Sequence, residues 1–407
     1  MLKLKLHWQI LIAFVLAIIL GISIPEHTGY VRWFGDLFLR ALKMIIVPLV
    51  FASIATGVAN IGDAKNLGRI GIKTFSYYIS TSLLAIVTGL FLVNMIKPGI
   101  GADLGFKMSI PEMTSTTGSI SDILMRMIPT NIFQALYNSD MLAIIFFAIL
   151  IGYFITQVQK NYSDNLLTLF NAIFEVMMKL TSFIIKFAPL GILGIVTGVV
   201  ADQASDKAKL ISMAQHLGVY FVTVLIGLFI HTFISLPLII KFLGKVNPIL
   251  HFKAMSLPII TAFSTSSSSA TLPLTMEAVE NDAGVSNKIS SFVVPLGATV
   301  NMNGTALYEC VAVMFIAQAY GIELTFMQQI IVVVTALLAA IGSAGIPMAG
   351  LVMMSIVLSA VNLPLEGVGL ILAVDRPLDM CRTVVNVFGD TCGAVVIAKS
   401  EGETLKV

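Results

Sequence analysis

Ser264-Thr265-Ser266-Ser267-Ser268-Ser269 and Gly342-Ser343-Ala344-Gly345-Ile346-Pro347 are the stretches on which the fold turns. Each is a small polar tip between two apolar arms, Met255 to Leu274 around the first and Ile330 to Leu358 around the second. Arms of about ten to fourteen residues are too short to cross a bilayer, which takes about 20. They read as re-entrant hairpins, which persist at membrane depth only when buried in protein or lining a wet cavity. Taken singly, a Ser-rich run reads as a linker and a Gly-Pro cluster as a turn. Two such tips in corresponding places, each followed by a long helix, mark instead a transporter built from inverted repeats around a midplane site.

The surrounding chain agrees. It is 57% hydrophobic and 11% charged, with a mean hydropathy of +0.96, whereas soluble domains are roughly 45–50% apolar and about 25% charged. Its 407 residues leave room for roughly eight to ten membrane segments and little soluble domain. Apolar stretches run over 8–24, 40–60, 74–96, 120–158 with an interruption near Pro129, 165–200 and 211–240. The first follows Lys3 and Lys5 and continues into Ile24-Pro25-Glu26-His27 without a small-residue cleavage site, so it reads as a retained helix. Lys3, Lys5, Lys65, Arg69, Lys73, Lys160, Lys241, Lys245, Lys253 and Lys288 fall on one side of these segments. Arg32, Arg40, Lys43, Lys97, Lys107, Lys207 and Lys209 fall on the other. The positive-inside rule then makes the N-terminus cytoplasmic. A net charge of +2 without a basic run gives no footprint for nucleic acid. Cys310, Cys381 and Cys392 lie in apolar segments and read as packing residues. The scattered histidines form no HExxH pattern, and no GxSxG is present, so hydrolase chemistry has no support.

Two further segments carry chemistry. The apolar stretch 289–320 is interrupted by Asn301-Met302-Asn303-Gly304-Thr305, with Glu309 one turn later. Such a sequence weakens a membrane helix, and an unwound turn would expose the carbonyl oxygens that alkali cations require. Interhelical hydrogen bonding by Asn and Thr is the other reading, and the residues alone leave both open. In the last apolar segment Asp375, Asp379, Arg382, Asn386 and Asp390 fall at roughly 0°, 40°, −20°, 20° and 60° around a helix at about 100° per residue, a single stripe. Each charge at the bilayer centre costs at least about 2.5–3.5 kcal/mol. A salt-bridge ladder does not account for them, because three carboxylates face Arg382 and at most one further base, Arg376. One carboxylate is left for a cation, a proton or a ligand's ammonium group. Arg382 offers a planar fork suited to a carboxylate, and Asp379 suits an ammonium. Together they match aspartate or glutamate, while Asp390, near Asn386, suits a bare cation.

The runs Ser-Ser-Ser-Ser-Ala-Thr-Leu-Pro at 266–273, Pro-Leu-Gly-Ala-Thr-Val-Asn-Met-Asn-Gly-Thr-Ala-Leu-Tyr-Glu at 295–309, Gly-Ser-Ala-Gly-Ile-Pro at 342–347 and Asp-Met-Cys-Arg-Thr-Val-Val-Asn-Val-Phe-Gly-Asp at 379–390 closely resemble the dicarboxylate/amino acid:cation symporters. That family includes bacterial glutamate symporters, archaeal aspartate transporters and excitatory amino acid transporters. The resemblance implies an all-α membrane protein with eight transmembrane helices and two re-entrant hairpins, forming a homotrimer of elevator-type protomers. Helices 1, 2, 4 and 5, over 1–60 and 120–200, would form the scaffold. Helices 3 and 6, over 72–97 and 210–243, and the region 250–400 would form the moving part of this single polytopic domain. By the same resemblance the substrate would meet Ser268, Thr305, Ile346, Gly350, Asp379, Arg382, Thr383 and Asn386. One sodium would take Gly297, Asn301, Asn386 and Asp390, and a second Thr299 with backbone near Ile341 and Ser343.

Two departures from the family pattern bear on coupling. The family's Asn-Met-Asp-Gly-Thr is here Asn-Met-Asn-Gly-Thr, so Asn303 removes the carboxylate of a third sodium site otherwise shared with Tyr78, Thr81, Ser82 and Asn301. Glu309 stands where proton-coupled relatives carry a glutamate, and a lone carboxyl in an apolar helix can hold a proton near neutrality. The family's auxiliary arginine is also missing, since its two positions are Ser266 and Met380; Arg376, one turn before Met380, is the candidate replacement. The expectation is a symporter of the inner membrane with both termini cytoplasmic, importing L-glutamate and L-aspartate with protons, sodium or both. It would use no organic cofactor and have membrane lipid as its surroundings. A C4-dicarboxylate carrier and, from another class, an anion channel are the alternatives.

Overall fold

The computed structural model describes residues 6–64, 69–102, 125, 127–203, 207–341 and 349–407, and all of its regular elements among these are helical. The N-terminal half comprises α1 (Leu6–Ser23), α2 (Gly29–Ala64), α3 (Arg69–Ile96), α4 (Ile132–Asn138), α5 (Met141–Ile155), α6 (Lys160–Ile185) and α7 (Ala188–Gln203). A long helix follows, α8 (Lys207–Ile230), carried through a π-helical turn at His231–Ser235 into α9 (Leu236–Phe242). Six helices among the described residues are long and apolar enough to cross a membrane, and shorter apolar helices accompany them.

Two expected stretches differ in extent. The stretch 165–200 is two helices parted at Lys186 and Phe187, and 40–60 is the middle of a longer helix, α2. The polar residues that hid the start of α2 from a hydropathy reading have partners. Arg32 donates to Asp202 at 2.5 Å and to the Gly198 carbonyl at 3.1 Å, and Lys43 reaches Glu366 at 3.4 Å.

The C-terminal half contains the interrupted segments. After α10 (Pro248–Ala254), the first hairpin is α11 (Ser256–Thr265) and α12 (Ser268–Asn281). Its tip is built by serine. Ser266 closes α11 in the left-handed region, at φ 52°, with its N–H donating to the Ala262 carbonyl at 2.9 Å, while Ser267 Oγ accepts from the Ala270 N–H and caps α12. Next come α13 (Asn287–Val300) and α14 (Asn303–Ala319), interrupted at Asn301 and Met302, whose backbone angles are not helical. The second hairpin has arms α15 (Phe326–Ile341) and α16 (Ala349–Ala360). Its tip, with Ser343 and Ile346, lies outside the described residues. The last helix is α17 (Val368–Ser400).

Burial distinguishes these helices. The apolar window of the α13–α14 segment is 100% buried and that of α17 83% buried, against 22% for α6. A helix that needs no lipid contact can carry polar groups, provided they find partners inside the bundle. Packing follows two groups: α1, α2, α5, α6 and α7 against one another, and α11, α12, α13 and α14 around α17 with α3 and α8 behind them. The chain's last residues fasten the second group at one end. Glu401 pairs with Arg69 at 2.7 Å and Lys73 at 2.6 Å. Glu403 accepts from the Ser286 N–H at 2.9 Å, and Lys406 donates from its N–H and Nζ to the carbonyls of Ala283 and Asn281.

Candidate functional site

The polar stripe of α17 is the floor of the site. Asp375, Asp379, Arg382, Thr383, Asn386 and Asp390 are all buried, with Arg382 1% exposed. Burying a guanidinium is tolerable only when it is paired and held. Its Nη2 lies 2.8 Å from Asp379 Oδ1 and 3.1 Å from Asp375 Oδ1, and its planar face rests 3.7 Å above the centre of the Tyr308 ring. Arg376, 26% exposed at its side chain, reaches Asp379 Oδ2 at 3.4 Å, which places the candidate auxiliary charge at the site. Thr383 Oγ1 donates to the Asp379 carbonyl at 2.8 Å. The nitrogens Nε and Nη1 of Arg382 have no hydrogen-bond partner among the described residues.

The break in α13–α14 faces this stripe. A helix start leaves N–H groups unpaired, and here the Gly304 N–H donates to Asn386 Oδ1 at 2.8 Å while Asn386 Nδ2 donates to Thr305 Oγ1 at 3.1 Å. Gly304 is required by proximity, since a Cβ there would stand 2.7 Å from the Arg382 carbonyl oxygen and 3.0 Å from its Cα. Gly350, on the second arm of the second hairpin, approaches from another side; a Cβ on it would be 2.9 Å from Arg382 Nη1 and 3.3 Å from Thr305 Cγ2. Ser268, buried at the start of α12, completes the described candidates, on an arm that packs against α17. Substrate candidates from four separate chain segments thus meet at or around α17.

Two turns along the stripe lies a second cluster. Asp390 Oδ1 accepts from Asn301 Nδ2 at 2.8 Å, and a Cβ at Gly297 would collide with that carboxylate and the Tyr78 hydroxyl. The candidate set Gly297, Asn301 and Asp390 is therefore contiguous, with Asn386 one turn back on the same helix. Beside it Ser82 Oγ donates to Asn303 Oδ1 at 2.6 Å, Thr81 Oγ1 lies 3.4 Å from Asn301 Oδ1, and Tyr78 donates to the Val293 carbonyl at 2.8 Å. These residues form the cluster expected of the third cation site. In place of a carboxylate it holds the Asn303 amide, whose buried Nδ2 has no partner among the described residues. Thr299, by contrast, is exposed and donates to the Leu296 carbonyl. Its expected companion Ile341 ends α15, which touches α13. Among the described residues no three His, Cys, Asp or Glu side chains gather as a transition-metal site would require.

Glu309 sits inside α14, fully buried, with both carboxyl oxygens lacking a hydrogen-bond partner among the described residues. Sequence reasoning put Asp375 on the stripe but gave it no task, and it missed Tyr308 altogether. The adjacency of Tyr308 to Glu309 gave no sign that its ring would lie beneath Arg382.

Comparison with known proteins places the whole chain in a family. Residues 6–400 match the model of the sodium:dicarboxylate symporter family. The chain is 35% identical to the proton/glutamate-aspartate symporter of Escherichia coli over 98% of its length and 93% of the relative's. It is 35% identical to the proton/sodium-glutamate symport protein of Geobacillus stearothermophilus over 98% and 96%, and 36% identical to human excitatory amino acid transporter 3 over 99% and 87%. These relatives are carriers, not enzymes. Motifs, fold and comparisons lead to one assignment: the chain belongs to the sodium:dicarboxylate symporter family.

Proposed function

We propose that this protein is a secondary active symporter that imports L-glutamate and L-aspartate with protons, sodium or both. The observation that carries this reading is the buried juxtaposition of Arg382 and Asp379, an obligate cation beside a carboxylate, with Gly304 against the Arg382 backbone and Gly350 beside its Nη1. Arg382 takes the ligand's side-chain carboxylate, through the donors that no described residue occupies. Asp379 takes its ammonium group, and Ser268, Thr305, Thr383, Asn386 and the second tip around Ile346 enclose the remainder. A C4-dicarboxylate lacks the ammonium that Asp379 would meet, so that reading ranks second.

Coupling ions follow from the neighbouring groups. A cation of hard character suits Gly297, Asn301, Asn386 and Asp390, with a further one at Thr299, Ile341 and Ser343. The cluster of Tyr78, Thr81, Ser82 and Asn303 suits a cation poorly, because Asn303 brings no charge. Glu309, buried without a partner, is held at least cost as the neutral acid, and it serves as the proton carrier. The two packing groups support a scaffold and a moving part in an elevator exchange, with eight spanning helices, two hairpins and a trimeric assembly in the inner membrane, both termini cytoplasmic.

Uptake of labelled L-aspartate into proteoliposomes tests this reading, with inward sodium and proton gradients imposed separately. Saturable, stereoselective, gradient-driven uptake is expected, whereas non-saturable anion flux without stereoselectivity would identify a channel and overturn it. Proton-driven uptake lost in Glu309→Gln assigns the proton to Glu309. Sodium-driven uptake indifferent to that change would make Glu309 structural.

A further inference from the structure

Asp375 is a buried charge of the site to which no role has been given. It lies one turn before Asp379 on α17 and is 1% exposed. Its contact is with the same nitrogen, Nη2, through which Arg382 also holds Asp379. Among the described residues neither oxygen of Asp375 has an aligned hydrogen bond; the Tyr308 hydroxyl lies beside its carboxyl, and Arg382 is the cation paired with it. The four ionic groups balance, Asp375 and Asp379 against Arg376 and Arg382. Nη1, the nitrogen beside Gly350, is left to a ligand.

A ligand bearing an ammonium and a second carboxylate rearranges these pairs. Its ammonium engages Asp379, and its carboxylate engages the free donors of Arg382. Asp375, deeper and with no other cation, stays where it is. Arg382 then serves two carboxylates, Asp375 and the ligand's, which repel one another and share one positive charge.

We propose that Asp375 is a specificity-determining positioning residue. It neutralises Arg382 and fixes its guanidinium against Tyr308 when no ligand is bound, and it competes with the ligand's side-chain carboxylate so that bound dicarboxylic amino acids can leave. A neutral side chain makes no claim on Arg382 and does not feel this competition. The inference rests on the roles proposed above for Arg382 and Asp379.

Asp375→Asn and Asp375→Ser remove the charge, and Asp375→Glu keeps it. Each is purified with aspartate present, checked by gel filtration, stripped of ligand and titrated with L-aspartate and L-asparagine by calorimetry. The ratio of the asparagine to the aspartate dissociation constant should rise in Asn and Ser variants by at least about fivefold, the least that Coulomb's law gives for a unit charge near 4 Å in a water-like medium. Aspartate exchange from loaded proteoliposomes should slow correspondingly, and Asp375→Glu should keep the ratio within about twofold of the parent. A ratio that is unchanged or lower in the charge-removing variants overturns the proposal, since a structural role moves both ligands together. If asparagine binds too weakly to measure, the sign decides: aspartate must bind more tightly in Asp375→Asn or Asp375→Ser, and weaker or equal binding overturns the proposal. A parent protein that binds no acidic amino acid would instead refute the proposed function.

Discussion

Gly304→Ala adds one methyl where the broken helix meets the charged one. The new Cβ would stand 2.7 Å from the Arg382 carbonyl oxygen and 3.0 Å from both Arg382 Cα and Val385 Cβ. Two of those atoms are backbone, so no side chain can turn aside. To reach the 3.4 Å at which ordinary contact begins, α14 and α17 must separate locally by about 0.7 Å. Overpacking of this kind costs about 1–3 kcal/mol, and stretching the buried Gly304 N–H bond to Asn386 adds about 1 kcal/mol. The total of about 2–4 kcal/mol weakens aspartate binding on the order of 30- to 700-fold if it falls on the bound state, at about 1.4 kcal/mol per decade. Calorimetric titration of the detergent-solubilised protein reads the effect. Gly218→Ala is the matched control, because a Cβ there meets nothing within 4 Å and alanine favours the helix by roughly 0.5–1 kcal/mol. Binding in Gly304→Ala within about threefold of the control would refute the claim that this contact sets the site.

Other perturbations probe the ion sites and the fastened end of the last helix. Asn303→Asp puts a carboxylate next to the hydroxyl of Ser82, so the sodium dependence of aspartate binding should steepen; an unchanged dependence would show that the cluster does not receive a cation. Glu401, hydrogen-bonded by Arg69 and Lys73, has its carboxyl lowered to about 2. A lowered acid stabilises the fold above its unfolded value and loses that contribution as pH falls through its folded one. The thermal midpoints of the parent and Glu401→Gln should therefore differ by a constant amount from neutrality to about pH 5 and converge towards pH 2. A gap that persists in acid would place the effect elsewhere.

Much of the arrangement is legible in the sequence because polar residues inside apolar segments have few places to go. Ser266 and Ser267 form a tip because serine can cap one helix and end another, and Asn301 both interrupts the membrane segment and hydrogen-bonds Asp390, so the two readings its composition left open hold together. The stripe from Asp375 to Asp390 is a matter of helical spacing, and it is buried throughout. Its pairing was not legible. Asp375 and Asp379 lie on the same face at seven and three residues from Arg382, and a long, flexible side chain can serve either or both. What decided the matter was Tyr308, a residue from another helix whose ring fixes the guanidinium plane. The starts of helices such as α2 were obscured for the opposite reason, since Arg32 and Lys43 look like loop residues until Asp202 and Glu366, distant in sequence, are seen to meet them.

The strap at the chain's end has a mechanical consequence. Lys406 grips Asn281 and Ala283 at the foot of α12, while the serine tip at 266 and 267 stands at the far end of the same arm. A cantilever clamped at its root deflects most at its free end. Bending of the first hairpin is thereby least at the strap and greatest at the serine tip, and cutting the strap should free the root and let the whole arm pivot.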